Sequence, residues 1–85
     1  MKTVEIQRHI IAHVQVEVSN GYTQDLMIEV RGSTIFFRSR GKCTECNTMA
    51  AKAHVGKAIN AVVALIPEMC DYERNEIGRL VLGLI

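Results

Sequence analysis

From Val4 to Val18 the chain alternates between apolar and polar residues. Even positions read Val4, Ile6, Arg8, Ile10, Ala12, Val14, Val16 and Val18, and odd positions read Glu5, Gln7, His9, Ile11, His13, Gln15 and Glu17. Seven of the eight even residues are apolar and six of the seven odd ones are polar, the period of two that marks a strand with one buried face. Fifteen residues exceed the usual strand length of about 3–10, so a bend or bulge is predicted near Arg8. Arg8 itself, on the apolar face, reads as a guanidinium snorkelling at a sheet edge. Ser19-Asn20-Gly21 then supplies residues that tolerate positive φ, as a hairpin turn requires. Leu26, Ile28 and Val30 alternate with Asp25, Met27, Glu29 and Arg31 as a second strand, and Gly32-Ser33 makes the next turn. Ile35-Phe36-Phe37 opens a third strand that runs out through Arg38-Ser39-Arg40 to Gly41. Residues 3–40 therefore predict a three-stranded antiparallel meander.

From about Thr44 the period changes. Ala51, Val55, Ala58, Ile59, Val62, Leu65 and Ile66 recur at steps of three and four, which predicts one long helix over 44–66 packed on the sheet and stopped by Pro67. Its other face, Ala50, Ala53, Gly56, Lys57, Asn60 and Ala64, is small rather than charged, and predicts close approach by a second helix or a partner. Beyond Pro67, Asp71 is the expected N-cap, Glu73 lies in the first turn, and Ile77, Leu80, Val81 and Leu84 have helical spacing. A short C-terminal helix over 71–85 follows, with a fourth strand as the alternative, because Leu80–Ile85 is also a buried-strand-length apolar run interrupted by glycines. The expected fold is α+β, in one domain spanning 1–85.

Composition sharpens this reading. Apolar residues make up 48% of 85, yet Trp is absent and the aromatics are Tyr22, Phe36, Phe37 and Tyr72. A chain this short buries only about 60–65% of its unfolded surface, so an apolar share of that size implies either an unusually complete core or apolar surface covered by another chain, and the expectation is a homodimer. A net charge of +1 excludes a protein that coats polyanions by bulk charge. Three cysteines make an odd count, which argues against a secreted disulfide framework and for a reducing compartment, the cytoplasm. Met1-Lys2-Thr3 leads straight into the alternation without a leader-like apolar core. The longest apolar run, Ala61–Ile66, is far shorter than the roughly 20 residues of a membrane span.

Cys43-Thr44-Glu45-Cys46 is the one spacing that suggests chemistry. Cys43 and Cys46 could supply half of a zinc site, whose other ligands would be His9 or His13 or a second copy's pair. His54 lies about 12 Å further along a continuous helix, and Cys70 lies beyond the helix end. The segment Ile35–Ala51, a strand, a short loop and Cys-x-x-Cys at a helix start, resembles the active-site region of thioredoxin-like and glutaredoxin-like proteins. That resemblance implies a reactive dithiol, its thiol made acidic by the helix N-terminus and by Arg38, Arg40 and Lys42. It covers only those seventeen residues. The third reading makes Cys43, Cys46 and Cys70 simple packing residues. No nucleophile, base and oxyanion donor stand together, so no enzymatic activity is expected.

Arg31, Arg38, Arg40, Lys42, Lys52 and Lys57 cluster around the third strand and the helix start. Strands followed by a helix with lysines near its start resemble the second half of a double-stranded-RNA-binding domain, which implies contacts to phosphates. The leading expectation is nevertheless a small non-enzymatic protein-binding regulator, adaptor or inhibitor, of the sort phages and mobile elements encode against host systems. It would work by occupying a partner surface through Arg38, Arg40, Lys42 and Phe36. Nucleic-acid binding by that basic patch and a zinc or dithiol role for Cys43 and Cys46 are the alternatives. No cofactor other than that zinc and no membrane partner are expected.

Overall fold

A computed structural model of the protein describes residues 4–7 and 11–85. Five strands, β1 (Val4–Gln7), β2 (Ile11–Glu17), β3 (Thr23–Arg31), β4 (Thr34–Ser39) and β5 (Lys42–Asn47), form one antiparallel sheet in sequence order, followed by helices α1 (Thr48–Ala53), α2 (Gly56–Leu65) and α3 (Asp71–Leu84). The α+β class and the meander stand as expected. The strand count does not.

The expected first strand is a hairpin, β1–β2, in which Val4 faces Val14 and Ile6 faces Ala12. Paired positions sum to an even number, so even residues pair with even residues in both strands, and alternation alone could not separate one long strand from two short ones. The bend and the side chain expected at Arg8 lie outside the described residues.

The second correction falls at Arg40-Gly41. Both residues have positive φ, 50° and 76°, and Ser39 pairs with Lys42. This is a two-residue type I′ hairpin, whose backbone twist matches that of the strands it joins. The third strand therefore turns back into β5, and no helix begins at Thr44. A left-handed conformation costs a non-glycine residue roughly 1 kcal/mol or more, and Asn tolerates it better. Arg40→Asn is expected to raise stability by about 0.5–1 kcal/mol, seen as a melting temperature a few degrees higher; an unchanged or lower value would contradict the turn type.

The third correction is the long helix over 44–66. Asn47 caps α1, its Oδ1 accepting from the N–H groups of Met49 and Ala50 at 2.9 and 3.1 Å. The helix breaks at His54, whose φ and ψ of −154° and 92° are extended, and α2 restarts after Val55. Gly56 permits the restart, since a Cβ there would lie 3.3 Å from the His54 ring. Pro67 follows the end of α2 as expected.

The helical phase holds. Ala51, Ala58, Val62, Leu65 and Ile66 are buried with Val14, Val16, Leu26, Ile28, Ile35 and Phe37 of β2–β4 and Ile77 and Val81 of α3. The small face, by contrast, is not covered by the second helix: Ala53, Lys57, Asn60 and Ala64 are exposed. Instead α3 meets α2 beside Val55 and Ile59, where Gly78 allows the approach; a Cβ on Gly78 would lie 3.2 Å from Ile59 Cδ1.

The C-terminal element is helical, and the fourth-strand alternative falls away. Its N-cap is Cys70 without a side-chain cap bond, and Asp71 is the first helical residue. What holds this end is the tail of β2. Ser19 N–H donates to Glu68 O at 2.9 Å, Cys70 N–H donates to Glu17 O at 3.0 Å, and Val18 bridges Met69. Glu73, 1% exposed, accepts from Glu17 N–H at 2.7 Å, and Tyr72 O–H donates to the Glu17 carboxylate.

Candidate functional site: the open face of the sheet

Alternation along β2–β5 sends one set of side chains to the helices and the other to the opposite face, on which none of the three helices packs. Across β3, β4 and β5 the register builds rows on that face. Glu29 stands opposite Phe36, and Phe36 opposite Glu45; one step along, His13, Met27, Arg38 and Cys43 form the next row.

Phe36 is the centre of this face. The guanidinium carbons of Arg31 and Arg38 lie 5.5 and 5.4 Å from its ring centroid, within the range of a cation over an aromatic face. Both arginines are tethered to Glu29: Arg38 Nη1 donates to Oε1 at 2.7 Å and Arg31 Nη2 to Oε2 at 3.0 Å. The Arg38 bond, then the Arg31 bond, hold the Glu29 carboxyl below its ordinary range, and the same Glu29 contact raises Arg38. For a depressed carboxyl, the linked stability is present above its unfolded pKa and is lost as pH falls through the folded one.

Beside this cluster lies a depression of about 480 Å³, bordered by His13, Met27, Arg38, Arg40, Lys42 and Cys43. Arg40 and Lys42 stand exposed on the β4–β5 turn, and neither has an ion-pair partner among the described residues. Arg38 and Arg40 thus border the depression with Lys42 beside them at the turn, and Phe36 lies in the adjoining row; by strand parity, however, Lys42 shares the helix side of the sheet with Ser39 rather than the face that carries Arg38. Sequence placed Arg31 in the basic cluster but not with Phe36, and it pointed to neither Glu29 nor Met27. Their signal was present in the i, i+2 spacing of one strand face, but only the register with β4 shows that they surround Phe36.

Cys43 and Cys46 are separated rather than gathered. They sit three apart on a strand, so their side chains take opposite faces: Cys43 is exposed on the open face, and Cys46 packs against the core side. The helix-start geometry behind the dithiol and zinc readings is absent because the segment is β5. Among the described residues no group of three or more His, Cys, Asp or Glu side chains is placed to hold a metal ion. Burial first, then the Glu17 charge, raise the Cys70 thiol above its ordinary value, which makes it the weaker nucleophile. His54 is exposed and stands apart from the open face. No described helix is long and apolar enough to cross a membrane.

Comparison with protein-family models, curated proteins and solved structures finds no match to this chain.

Proposed function

We propose that this is a small non-enzymatic regulator, adaptor or inhibitor that binds another protein with the open face of its sheet. The observation that carries the reading is Phe36 held between two arginines that Glu29 keeps in place. Aromatic and Arg side chains dominate binding energy at protein interfaces, and anchors ordered before contact lower the entropy cost of association. Arg40 and Lys42 at the neighbouring rim favour an acidic surface on the partner and a salt-sensitive association rate.

Single-stranded nucleic acid is the second reading, supported by an aromatic ring flanked by arginines on which a base could stack. Glu29 at the centre of the face, with Asp25 and Glu45 on the same side, disfavours phosphates and ranks this reading lower.

The test is capture of the native target by the wild type and by Arg38→Glu/Arg40→Glu/Lys42→Glu. The triple variant is expected to lose capture while its melting temperature changes little. Because Arg38→Glu also breaks the pair with Glu29, Arg40→Glu/Lys42→Glu serves as the milder companion and is expected to slow association. Unchanged capture by both would remove the patch from the interface, and a salt-dependent gel shift lost in the triple variant would favour nucleic acid.

A further inference from the structure

Among the described residues β5 is an edge strand, its backbone paired in the sheet with β4 alone. In a two-residue hairpin the closing pair, here Ser39 and Lys42, exchanges hydrogen bonds, and such pairs then recur at every second residue. Lys42, Thr44 and Cys46 therefore direct their backbone groups to β4, while those of Cys43 and Glu45 point away from the sheet. Among the described residues no backbone or side-chain group bonds to them. Cys43 and Glu45 are also exposed, so the edge is a template open to another strand.

We propose that β5 pairs antiparallel with β5 of a second copy, about a two-fold axis through Thr44, joining two meanders into one continuous sheet. The register follows from the charges. Outward-directed residues must face each other, so the axis passes through a residue. An axis through Glu45 would set two carboxylates directly opposite, which is destabilising. An axis through Cys43 would place Glu45 against the Gly41 turn, where positive φ ends the strand. Through Thr44, Cys43 faces Glu45 of the second copy at two equivalent places, and four backbone hydrogen bonds form. Arg38 stands opposite Cys43 on β4. The short cysteine leaves room for Glu45 of one copy to reach Arg38 of the other, whose Nη1 alone is engaged by Glu29.

The helix layer is compatible with this pairing. α2 lies against β5, with Thr44 Oγ1 donating to Ala61 O at 2.9 Å. The flank of α2 beside that contact carries Ala61 and Ala64, whose short side chains suit the roughly 8–10 Å approach of a second α2, while the longer Lys57 is exposed. The pairing would also bring two copies of the Phe36 face onto one surface. It stands independently of that face's partner.

Mass and cross-linking test the proposal. Light scattering of the wild type at micromolar concentration is expected to give twice the 9.5 kDa of the chain. Glu45→Pro, which removes an outward N–H that β4 does not use, is expected to give a folded monomer by circular dichroism. Should that variant fail to fold, cross-linking decides. Directly opposed residues of a hydrogen-bonded antiparallel pair have Cα atoms about 5.5 Å apart, within disulfide range. Under mild oxidation Glu45→Cys is therefore expected to give a covalent dimer, with peptide mapping locating the bond between position 45 and Cys43 of the other copy. Wild-type Cys43 should not cross-link to itself. A wild type at 9.5 kDa across the concentration range would overturn the proposal. So would a dimer that Glu45→Pro leaves intact, or a Cys43–Cys43 bond in the wild type.

Discussion

Val62→Asp is expected to abolish cooperative folding at room temperature. Val62 is 0% exposed in the middle of α2 and belongs to the cluster that includes Ile35, Phe37 and Ile77. An ionised carboxylate placed there without a partner costs several kcal/mol, in addition to the packing lost with the valine. Against a total stability of about 4–13 kcal/mol for a chain of this size, that is most or all of the margin. Burial would raise the pKa of the new carboxyl, so the damage should grow as pH rises through the ordinary carboxylate range and be smaller below it. Ala64→Asp, on the exposed side of the same helix, is expected to shift stability by less than about 0.5 kcal/mol. Equal melting of Val62→Asp and the wild type would show that the packed face of α2 is misassigned.

Glu73→Ala should carry the next largest cost, about 2–3 kcal/mol, or a melting temperature roughly 10–20 °C lower for a domain of this size. The reason lies in β2. Even-numbered residues of β2 bond toward β3, so the Glu17 N–H points to the other side, past Val14, which faces Val4 in the last β1–β2 pair among the described residues. The Glu73 carboxylate takes that N–H at 2.7 Å from a buried position, and truncation leaves the donor without its partner. Glu73→Gln keeps an acceptor oxygen and should recover part of the loss. Hydrogen exchange at the Glu17 amide is the direct readout, faster in Glu73→Ala than in the wild type. Unchanged exchange would mean that the N–H is protected by something other than Glu73.

The segments legible in sequence were those whose local pattern and tertiary role agree. β3 and the first half of β4 alternate because one face is buried; Gly32 and Gly21 mark turns that need positive φ; and Ala58, Val62 and Leu65 share one helical stripe. Pro67 ended α2 because no N–H remains there to continue it. β5 was not legible. Its core-side residues are Lys42, Thr44 and Cys46, which carry no hydrophobic alternation, since an edge strand half-covered by α2 has little need of it. Two local signals were available, the X-Gly turn at Arg40-Gly41 and the capping Asn47, and both were outweighed by the apolar helical spacing that begins at Ala51.

The candidate site divides the same way. That Arg38, Arg40, Lys42 and Phe36 lie close together follows from their adjacency in sequence, and strand parity alone puts Phe36 and Arg38 on one face. That Glu29 orders Arg31 and Arg38 around the ring is a property of the β3–β4 register, which pairs residues through hydrogen bonds no local pattern specifies. By itself the sequence determined the α+β class, most of the buried faces and the closeness of the basic residues, because periodicity and turn chemistry act over a few positions. Only tertiary structure decided that β1 folds back on β2, that Cys43 and Cys46 stand on opposite faces of an edge strand, and that Glu73 serves Glu17, 56 residues away. Each of these depends on which distant backbone satisfies a given N–H or C=O group.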